Sequence, residues 1–395
     1  MGRGLTMDNA RNRKILLAVT LFFWYAQYVY VPYQTPYLSG LGIAMTMIGV
    51  ILGAYGFSQM AIRIPLGVIS DRNPRHKMFI ALGAVCAGVA SILRAASPTD
   101  TAFLVANLIS GFASATYISF TVLNASYYEP GEMQKAMGTI SAFNNAGILI
   151  AFVTGMVVSE AIGIQPLFYM SSAAGFIGFV ISLFIREERK PVPKIKLGEL
   201  LSVVKKRTLI IFAVLALLLQ MVHMSTAMSF TTQVAKDIGG SNVEIGLISI
   251  VYMALSIVSS YFVGTAVAKK IGNRTLLVIA FACITLYCIL VPQCTQLFPL
   301  YFLQAMCGFA YGAVFSVCMS GSMTGIPKEK RSTAMGFFQA VYGVGMTIGP
   351  MIAGAVRDTS GMPASYYFLI LVSVPGIVIS IAAFSRFFRK DNAEA

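Results

Sequence analysis

Long apolar runs dominate this sequence and restrict the folds that it can adopt. Each run has about the 20 residues that a helix needs to cross the hydrocarbon core of a bilayer. Lipid offers no partners for open backbone groups, and the runs lack the alternation of barrel strands, so helices are the expected structure. The sequence therefore predicts an all-α membrane protein with twelve transmembrane helices, at residues 15–38, 44–69, 77–95, 101–125, 136–159, 164–185, 208–231, 243–267, 275–293, 297–322, 332–356 and 363–385.

The composition agrees with a chain that is solvated by lipid. Hydrophobic residues make up 57% of the 395 residues and charged residues only 11%, against about 25% in an ordinary soluble domain. A soluble fold of this length could not hide so much apolar surface from water. No cleavable signal peptide is evident, so we expect the first apolar run to remain in the protein.

Basic residues are concentrated in alternate loops, which predicts the orientation in the membrane. The loop after the second run carries Arg72, Arg75 and Lys77, and both ends of the chain are also basic. We therefore predict a multi-pass protein of the cell membrane with both termini in the cytoplasm. The net charge of +14 then reflects topology and does not indicate a nucleic-acid partner.

The chain contains an internal repeat. Gly67 matches Gly264, and the run from Gly111 to Ala113 matches the run from Gly308 to Ala310, both at an offset of 197 residues. A charged segment with two prolines separates the halves. The sequence therefore predicts two pseudo-symmetric six-helix bundles, at residues 1–185 and 208–395, joined by a cytoplasmic linker at 186–207.

The loop after the second run carries a recognisable motif. From Gly67 to Lys77 it reads Gly-Val-Ile-Ser-Asp-Arg-Asn-Pro-Arg-His-Lys. The segment from Gly264 to Arg274 in the second half is a weaker match to the same motif. This resembles the cytoplasmic signature of the major facilitator superfamily, G-x-L-a-D-r-x-G-r-k. With the six-plus-six layout, the resemblance covers essentially the whole chain. It implies a secondary active or facilitative transporter that rocks two halves around a midplane site, and not an enzyme.

The resemblance also implies a conformational gate. In the family, the glycine of the motif permits close helix packing, and its charged residues form a network that holds one conformation. A loop that only anchors the topology is the alternative. The gating and conformational candidates are Gly67, Asp71, Arg72, Arg75, Arg63, Gly349 and Pro350.

Several positions depart from the family pattern. Pro74 stands where the family has Gly, and Ala268 replaces the Asp of the second repeat. The predicted fifth helix lacks the Gly-Pro pair of many family exporters. Asn107 occupies the place of an Arg that proton-coupled members often carry in helix 4. The Gly-Pro pair appears instead in the predicted eleventh helix, as Gly349-Pro350, which weakens an assignment to the drug antiporters.

Ionisable side chains within a membrane are unfavourable and usually functional. No acidic residue lies away from a predicted helix end, so we expect transport to depend weakly on the pH gradient. His223 could titrate near neutral pH or remain a neutral hydrogen-bonding group. Arg63 could bind an anionic substrate or extend to the cytoplasmic interface. With no other mid-helix cation evident, strongly anionic substrates are disfavoured.

Uncharged polar and aromatic side chains supply the candidates for a substrate site. They recur at helical spacing on predicted helices that line the cavity in the family, and hydrogen bonding between helices is their alternative role. The substrate-binding candidates are Trp24, Gln27, Tyr30, Gln34, Ser114, Tyr117, Thr121, Asn144, Asn145, Gln220, His223, Gln304, Tyr311, Gln339 and Tyr342.

Such a lining suits two classes of substrate. Aromatic and Met-rich walls favour export of an amphipathic, drug-like compound or metabolite. Amides and hydroxyls beside aromatic faces suit uptake or exchange of a neutral polar solute such as a sugar or nucleoside. A membrane receptor that does not transport is a third possibility. We expect no cofactor or metal, since the six cysteines lack ligand spacing, and we expect a monomer with a small-molecule substrate.

Overall fold

The computed structural model describes residues 2–72, 75–129, 132–187, 202–263, 270–327 and 331–386. The described residues are almost entirely helical and contain no strand. The helices are α1 (Gly2–Tyr28), α2 (Val31–Gly40), α3 (Met45–Arg72), α4 (His76–Ala96), α5 (Asp100–Ala115), α6 (Tyr117–Ser126), α7 (Met133–Ile162), α8 (Gln165–Ser182), α9 (Arg207–Ser225), α10 (Thr231–Asp237), α11 (Asn242–Val263), α12 (Asn273–Leu290), α13 (Leu297–Ser322) and α14 (Arg331–Arg386).

Ten helical segments within the described ranges are long and apolar enough to cross a membrane. The longest, Thr333–Ala382, contains Gly361 at φ 84° and ψ 171°, which interrupts the helical geometry and divides α14 into two helices. The predicted sixth run forms α8, which has 18 residues. The all-α membrane fold is confirmed, and the exact number of twelve helices stays a prediction.

Three predicted helices are broken in the structure. The first separates into α1 and α2 before Pro32, which lacks the N–H that would continue the hydrogen-bond ladder. The fourth separates into α5 and α6 at Thr116, whose hydroxyl donates to the Ala113 carbonyl at 2.7 Å and competes with the backbone. The seventh contains a π-helical turn, Thr226–Phe230, between α9 and α10. Turns of this kind are frequent at functional sites.

The described residues fall into two compact units. The first comprises those within Met1–Pro32 and Phe57–Lys194, and the second those within Tyr33–Gly56 and Ile195–Ala395. In the first unit, α4 packs on α8 and α5, while α1 packs on α7 and α8. In the second unit, α9 and α12 pack on α14, and α11 packs on α13. The sequence-based bundle boundaries stay a prediction.

Glycines allow the closest helix contacts in both units. In the first, a Cβ added to Gly175 would lie 2.7 Å from the Cα of Gly88. In the second, a Cβ added to Gly308 would lie 2.9 Å from the backbone carbonyl carbon of Tyr252. Small residues at such contacts let helix backbones approach, as is usual in membrane proteins.

Candidate functional site

In the first unit, five of the predicted site residues lie together. The rings of Trp24 and Tyr117 meet edge to face, with centroids 5.1 Å apart. Gln27 Nε2 donates to the Ser110 carbonyl and to Ser114 Oγ, each at 3.0 Å. Asn144 Nδ2 lies 3.5 Å from the Tyr117 hydroxyl. We call Trp24, Gln27, Ser114, Tyr117 and Asn144, which come from α1, α5, α6 and α7, the Trp24 cluster.

In the second unit, His223 lies at the centre of an aromatic group. Its Nδ1 is hydrogen-bonded to the Tyr252 hydroxyl at 2.6 Å, and its ring stacks on Tyr311 with centroids 4.1 Å apart. Tyr311 stacks in turn on Phe315, and Phe315 meets Tyr342 edge to face. Gln220 Nε2 lies 3.5 Å from the Tyr311 hydroxyl. The residues Gln220, His223, Tyr252, Tyr311, Phe315 and Tyr342 form the His223 cluster.

Three amide oxygens of predicted substrate-binding residues are buried without a hydrogen-bond donor among the described residues. They are Asn144 Oδ1, Gln220 Oε1 and Gln339 Oε1. Buried acceptors are normally paired, so an unpaired one is a place where a ligand N–H or O–H can bind. Within the described ranges, no group of three or more His, Cys, Asp or Glu side chains is placed to hold a metal ion.

Three other predicted site residues have partners elsewhere in their own unit. Tyr30 packs against Arg94 and Phe168, and the Thr121 hydroxyl donates to its own helix at the Ile118 carbonyl. Gln304 is fully buried between Tyr287 and the Ala227 carbonyl. Gln34 is buried on α2, while Asn145 and Gln339 are half-buried on α7 and α14. Direct substrate contact stays a prediction for all of them.

Arg94 is a buried cation that the sequence analysis did not include among the site residues. It is fully buried in the first unit, and its Nη2 donates to Asn107 Oδ1 at 2.7 Å and to Ser110 Oγ at 2.8 Å. The sequence analysis considered only Arg63 as a cation near a substrate; Arg94, in the last turn of α4, is a second buried cation. Arg94 stands near the end of an apolar run, where a cation ordinarily extends to the interface. The polar positions Asn107 and Ser110, one helical turn apart, were the available signal.

The predicted gate is only partly described. Gly67, Asp71 and Arg72 close α3 and lie outside the residues whose side chains are described. Arg63 is buried, and Arg75 is exposed just before α4.

An unpredicted residue, Glu187, stands at the start of α4. Its carboxylate accepts from the backbone N–H of His76 at 2.7 Å and of Lys77 at 3.1 Å. A carboxylate is favoured there because helix N-termini carry unpaired donors and a positive partial charge.

Gly349 and Pro350 lie at close helix contacts of the second unit. A Cβ added to Gly349 would lie 2.7 Å from the Met221 Cα, and one added to Gly49 would lie 3.0 Å from the Pro350 carbonyl carbon. About two turns further along α14, Asp358 accepts from the backbone N–H of Thr46 at 2.6 Å and from its hydroxyl at 2.7 Å. Asp358 therefore caps the start of α3, a role that its position at a helix end did not reveal.

The chain matches known proteins over nearly its whole length. The model of the Major Facilitator Superfamily matches residues 16–234 and 212–394. The multidrug resistance protein MdtG of Enterobacter lignolyticus is 22% identical over 347 residues, which cover 85% of this chain and 83% of that protein.

Solved structures show the same fold. A bacterial homologue of the human lysosomal transporter Spinster superposes with a TM-score of 0.79 at 14% identity, covering 97% of this chain and 98% of that one. The nucleoside transporter NupG superposes with a TM-score of 0.72 at 16% identity, covering 97% and 100%. The predicted resemblance is confirmed: this chain belongs to the major facilitator superfamily and is a multi-pass membrane transporter.

Proposed function

We propose that this protein exports amphipathic organic compounds that carry an aromatic ring. The observation that carries the proposal is the stacked His223 cluster, which presents several ring faces beside the unpaired amide oxygen of Gln220. Aromatic side chains bind flat apolar groups and contribute about 0.5–1.5 kcal/mol per ring pair beyond the buried area. An amide acceptor beside them selects compounds with a polar donor as well as a ring.

In this proposal, each cluster contributes its own contacts to a substrate. In the His223 cluster, Tyr311 and Tyr342 offer ring faces and Gln220 offers a hydrogen-bond acceptor. In the Trp24 cluster, Trp24 and Tyr117 offer ring faces and Asn144 offers an acceptor. Gln27 Nε2 donates to both the Ser110 carbonyl and Ser114 Oγ, so Gln27 positions the helices of the cluster and has no donor left for the substrate. His223 acts as a neutral partner of Tyr252 and not as a proton carrier.

The transport cycle in this proposal is alternating access in the cell membrane by a monomer with cytoplasmic termini. Asp71, Arg72, Arg75 and Arg63 stabilise one conformation by the charge network that the motif implies. The MdtG relatives, named as multidrug resistance proteins, support export over uptake. The structural similarity to the nucleoside transporter NupG supports a nucleoside as the second candidate substrate. A nucleobase also stacks on aromatic rings and forms hydrogen bonds with amides.

Tyr311 provides the test of the His223 cluster. In proteoliposomes that contain the purified protein, we expect flux of dansylamide, a neutral compound with an aromatic ring. Tyr311→Leu removes the ring that stacks on both His223 and Phe315, and it should raise the half-saturation concentration about fivefold to tenfold. The matched control is Tyr261→Leu on α11, where the side chain is 81% exposed, and its kinetics should equal those of the unchanged protein.

Two outcomes would reject aromatic amphipaths as substrates. One is flux of radiolabelled uridine with none of dansylamide, which would favour the nucleoside candidate. The other is equal kinetics for Tyr311→Leu and Tyr261→Leu. Export is tested in cells, where expression should lower dansylamide accumulation and Tyr311→Leu should restore it.

A further inference from the structure

Arg94 places a positive charge inside the first unit without a carboxylate beside it. Its guanidinium contacts Asn107 Oδ1, Ser110 Oγ and Ser91 Oγ, and it lies 4.4 Å from the centroid of the Tyr30 ring. Among the described residues Arg94 forms no ion pair, and its Nε is buried without a hydrogen bond. Because a guanidinium does not lose its proton in proteins, only dipoles and a ring face compensate this charge.

At the repeat-related position, the second unit uses a neutral donor instead of a cation. There Gln304 occupies the position that the repeat offset of 197 residues pairs with Asn107. Its oxygen accepts from a neutral donor, the Tyr287 hydroxyl, at 3.3 Å. Burying a charge is far less favourable than burying a hydroxyl. The cation of the first unit is therefore more than helix packing requires, and buried charges in membranes usually serve a function.

Arg94 is connected to the Trp24 cluster through one residue. Ser110 accepts from Arg94 at its hydroxyl, and its carbonyl accepts from Gln27 Nε2 at 3.0 Å. The guanidinium is therefore bonded to the same residue, Ser110, that anchors Gln27, and Gln27 also bonds to Ser114. Its positive potential extends into the cluster, because no described carboxylate pairs with it.

We propose that Arg94 makes the Trp24 cluster selective for amphipathic compounds that carry a negative charge. This rests on the proposed function and specifies its substrate class. Arg94 is a positioning residue here: it holds Ser110 and supplies the potential, while Trp24 and Tyr117 make the contact. For charges about 10 Å apart at an effective dielectric constant of about 20, the attraction corresponds to about a tenfold change in affinity. A cationic compound is disfavoured by a similar factor.

Trp24 is the single tryptophan of the chain and reports directly on this cluster. We would measure energy transfer from Trp24 to three dansyl compounds of matched size: dansylglycine, which is anionic, dansylglycinamide, which is neutral, and the cationic trimethylammonioethyl analogue. The full-length protein is used in detergent, and Trp24→Phe provides the background for partitioning into micelles. The readout is the ratio of the dissociation constants of the cationic and anionic probes.

The unchanged protein should bind the anionic probe at least tenfold more tightly than the cationic one. Asn107→Asp places a carboxylate where Asn107 now accepts from Arg94, and it should bring the ratio close to one by pairing the charge. Arg94→Lys keeps the charge and should keep the preference, whereas Arg94→Gln should lose it. A purely structural role of Arg94 would weaken all three probes together and leave the ratio unchanged.

The outcomes separate this inference from the proposed function. If the unchanged protein binds all three probes equally, or if Asn107→Asp retains the preference, the charge-selectivity proposal is wrong while the aromatic site stands. If no probe gives transfer above the Trp24→Phe background, the aromatic site itself is wrong and charge selectivity falls with it. Asn107→Asp replaces an amide NH2 by an oxygen and keeps the side-chain volume. The test therefore still works if the Arg94→Gln protein fails to fold.

Discussion

The two units place an amide at repeat-related positions and give it different partners. In the first, Asn107 accepts from the charged Arg94 at 2.7 Å. In the second, Gln304 accepts from the hydroxyl of Tyr287 at 3.3 Å. Around Tyr287 the network continues through neutral hydroxyls, since Thr231 lies 2.5 Å from the hydroxyl of Tyr287 and 2.6 Å from that of Tyr366.

This difference shows that residues matched by the repeat offset can have polar partners of different charge. Both units use glycines where helix backbones approach closely. The partner of a buried amide can change between a cation and a hydroxyl as long as each donor finds an acceptor. The two units should therefore respond alike to changes in packing and unlike to changes in their polar networks.

The largest effect is expected where the units are alike, at their glycine contacts. Gly175→Ala in the first unit and Gly308→Ala in the second place a Cβ within 2.7 Å and 2.9 Å of facing backbone carbon atoms. Both helices must move, so each change should lower the stability by about 3 kcal/mol. The apparent melting temperature of the protein in detergent measures the loss.

Gly138→Ala and Gly336→Ala are the matched controls, because an added Cβ would meet nothing within 4 Å at either position. Alanine is the better helix former, so these changes should be neutral or stabilising by about 0.5–1 kcal/mol. A severe loss at Gly308 with none at Gly175 would contradict the expectation that close glycine contacts stabilise both units.

The next largest loss of stability should distinguish the charged network of the first unit from the neutral network of the second. Arg94→Met leaves two buried acceptors, Asn107 Oδ1 and Ser110 Oγ, without their charged donor, and should cost about 2 kcal/mol. Tyr287→Phe removes one neutral hydroxyl: Thr231 stays bonded to Tyr366, and one buried acceptor, Gln304 Oε1, loses a long hydrogen bond, so the cost should be about 1 kcal/mol. Thermal unfolding of both variants under one condition gives the order. Equal losses, or a larger loss for Tyr287→Phe, would contradict the distinction between a charged and a neutral network.

The smallest effect concerns His223 in the second unit. His223→Phe loses the hydrogen bond to Tyr252 and keeps a ring stacked on Tyr311, so the cost should stay below about 1 kcal/mol. Dansylamide flux should respond to an imposed pH gradient as little as in the unchanged protein. If instead the unchanged protein shows steep proton-driven transport that this variant lacks, His223 carries the proton and the second unit also holds a functional ionisable group.

Sequence reasoning was most successful where local composition decides the structure. The predicted runs correspond to observed helices because the apolar character of a run is a property of neighbouring residues. The breaks before Pro32, at Thr116 and at the π-helical turn Thr226–Phe230 were not predicted. Hydropathy hardly changes across such breaks, since only the hydrogen-bond pattern differs.

The substrate-site residues were harder to sort. Trp24, Gln27 and Tyr117 lie together as their helical spacing suggested, yet Tyr30 and Gln304, chosen by the same reasoning, have partners inside the packed units. Helical spacing identifies a polar face but not the element that covers it. Arg94 escaped notice because its position near a helix end is compatible with an exposed cation as well as a buried one.

The sequence by itself determined that this chain is an α-helical membrane protein and that it resembles a transporter superfamily, which the family match confirms. These conclusions depend on local apolar runs and motifs, and a bilayer leaves few alternatives for such runs. Only the tertiary structure decided which polar groups meet. Tyr30, Arg94 and Asn107 come from three segments of the chain, and a contact between such segments follows from the packing of helices, which no local pattern encodes.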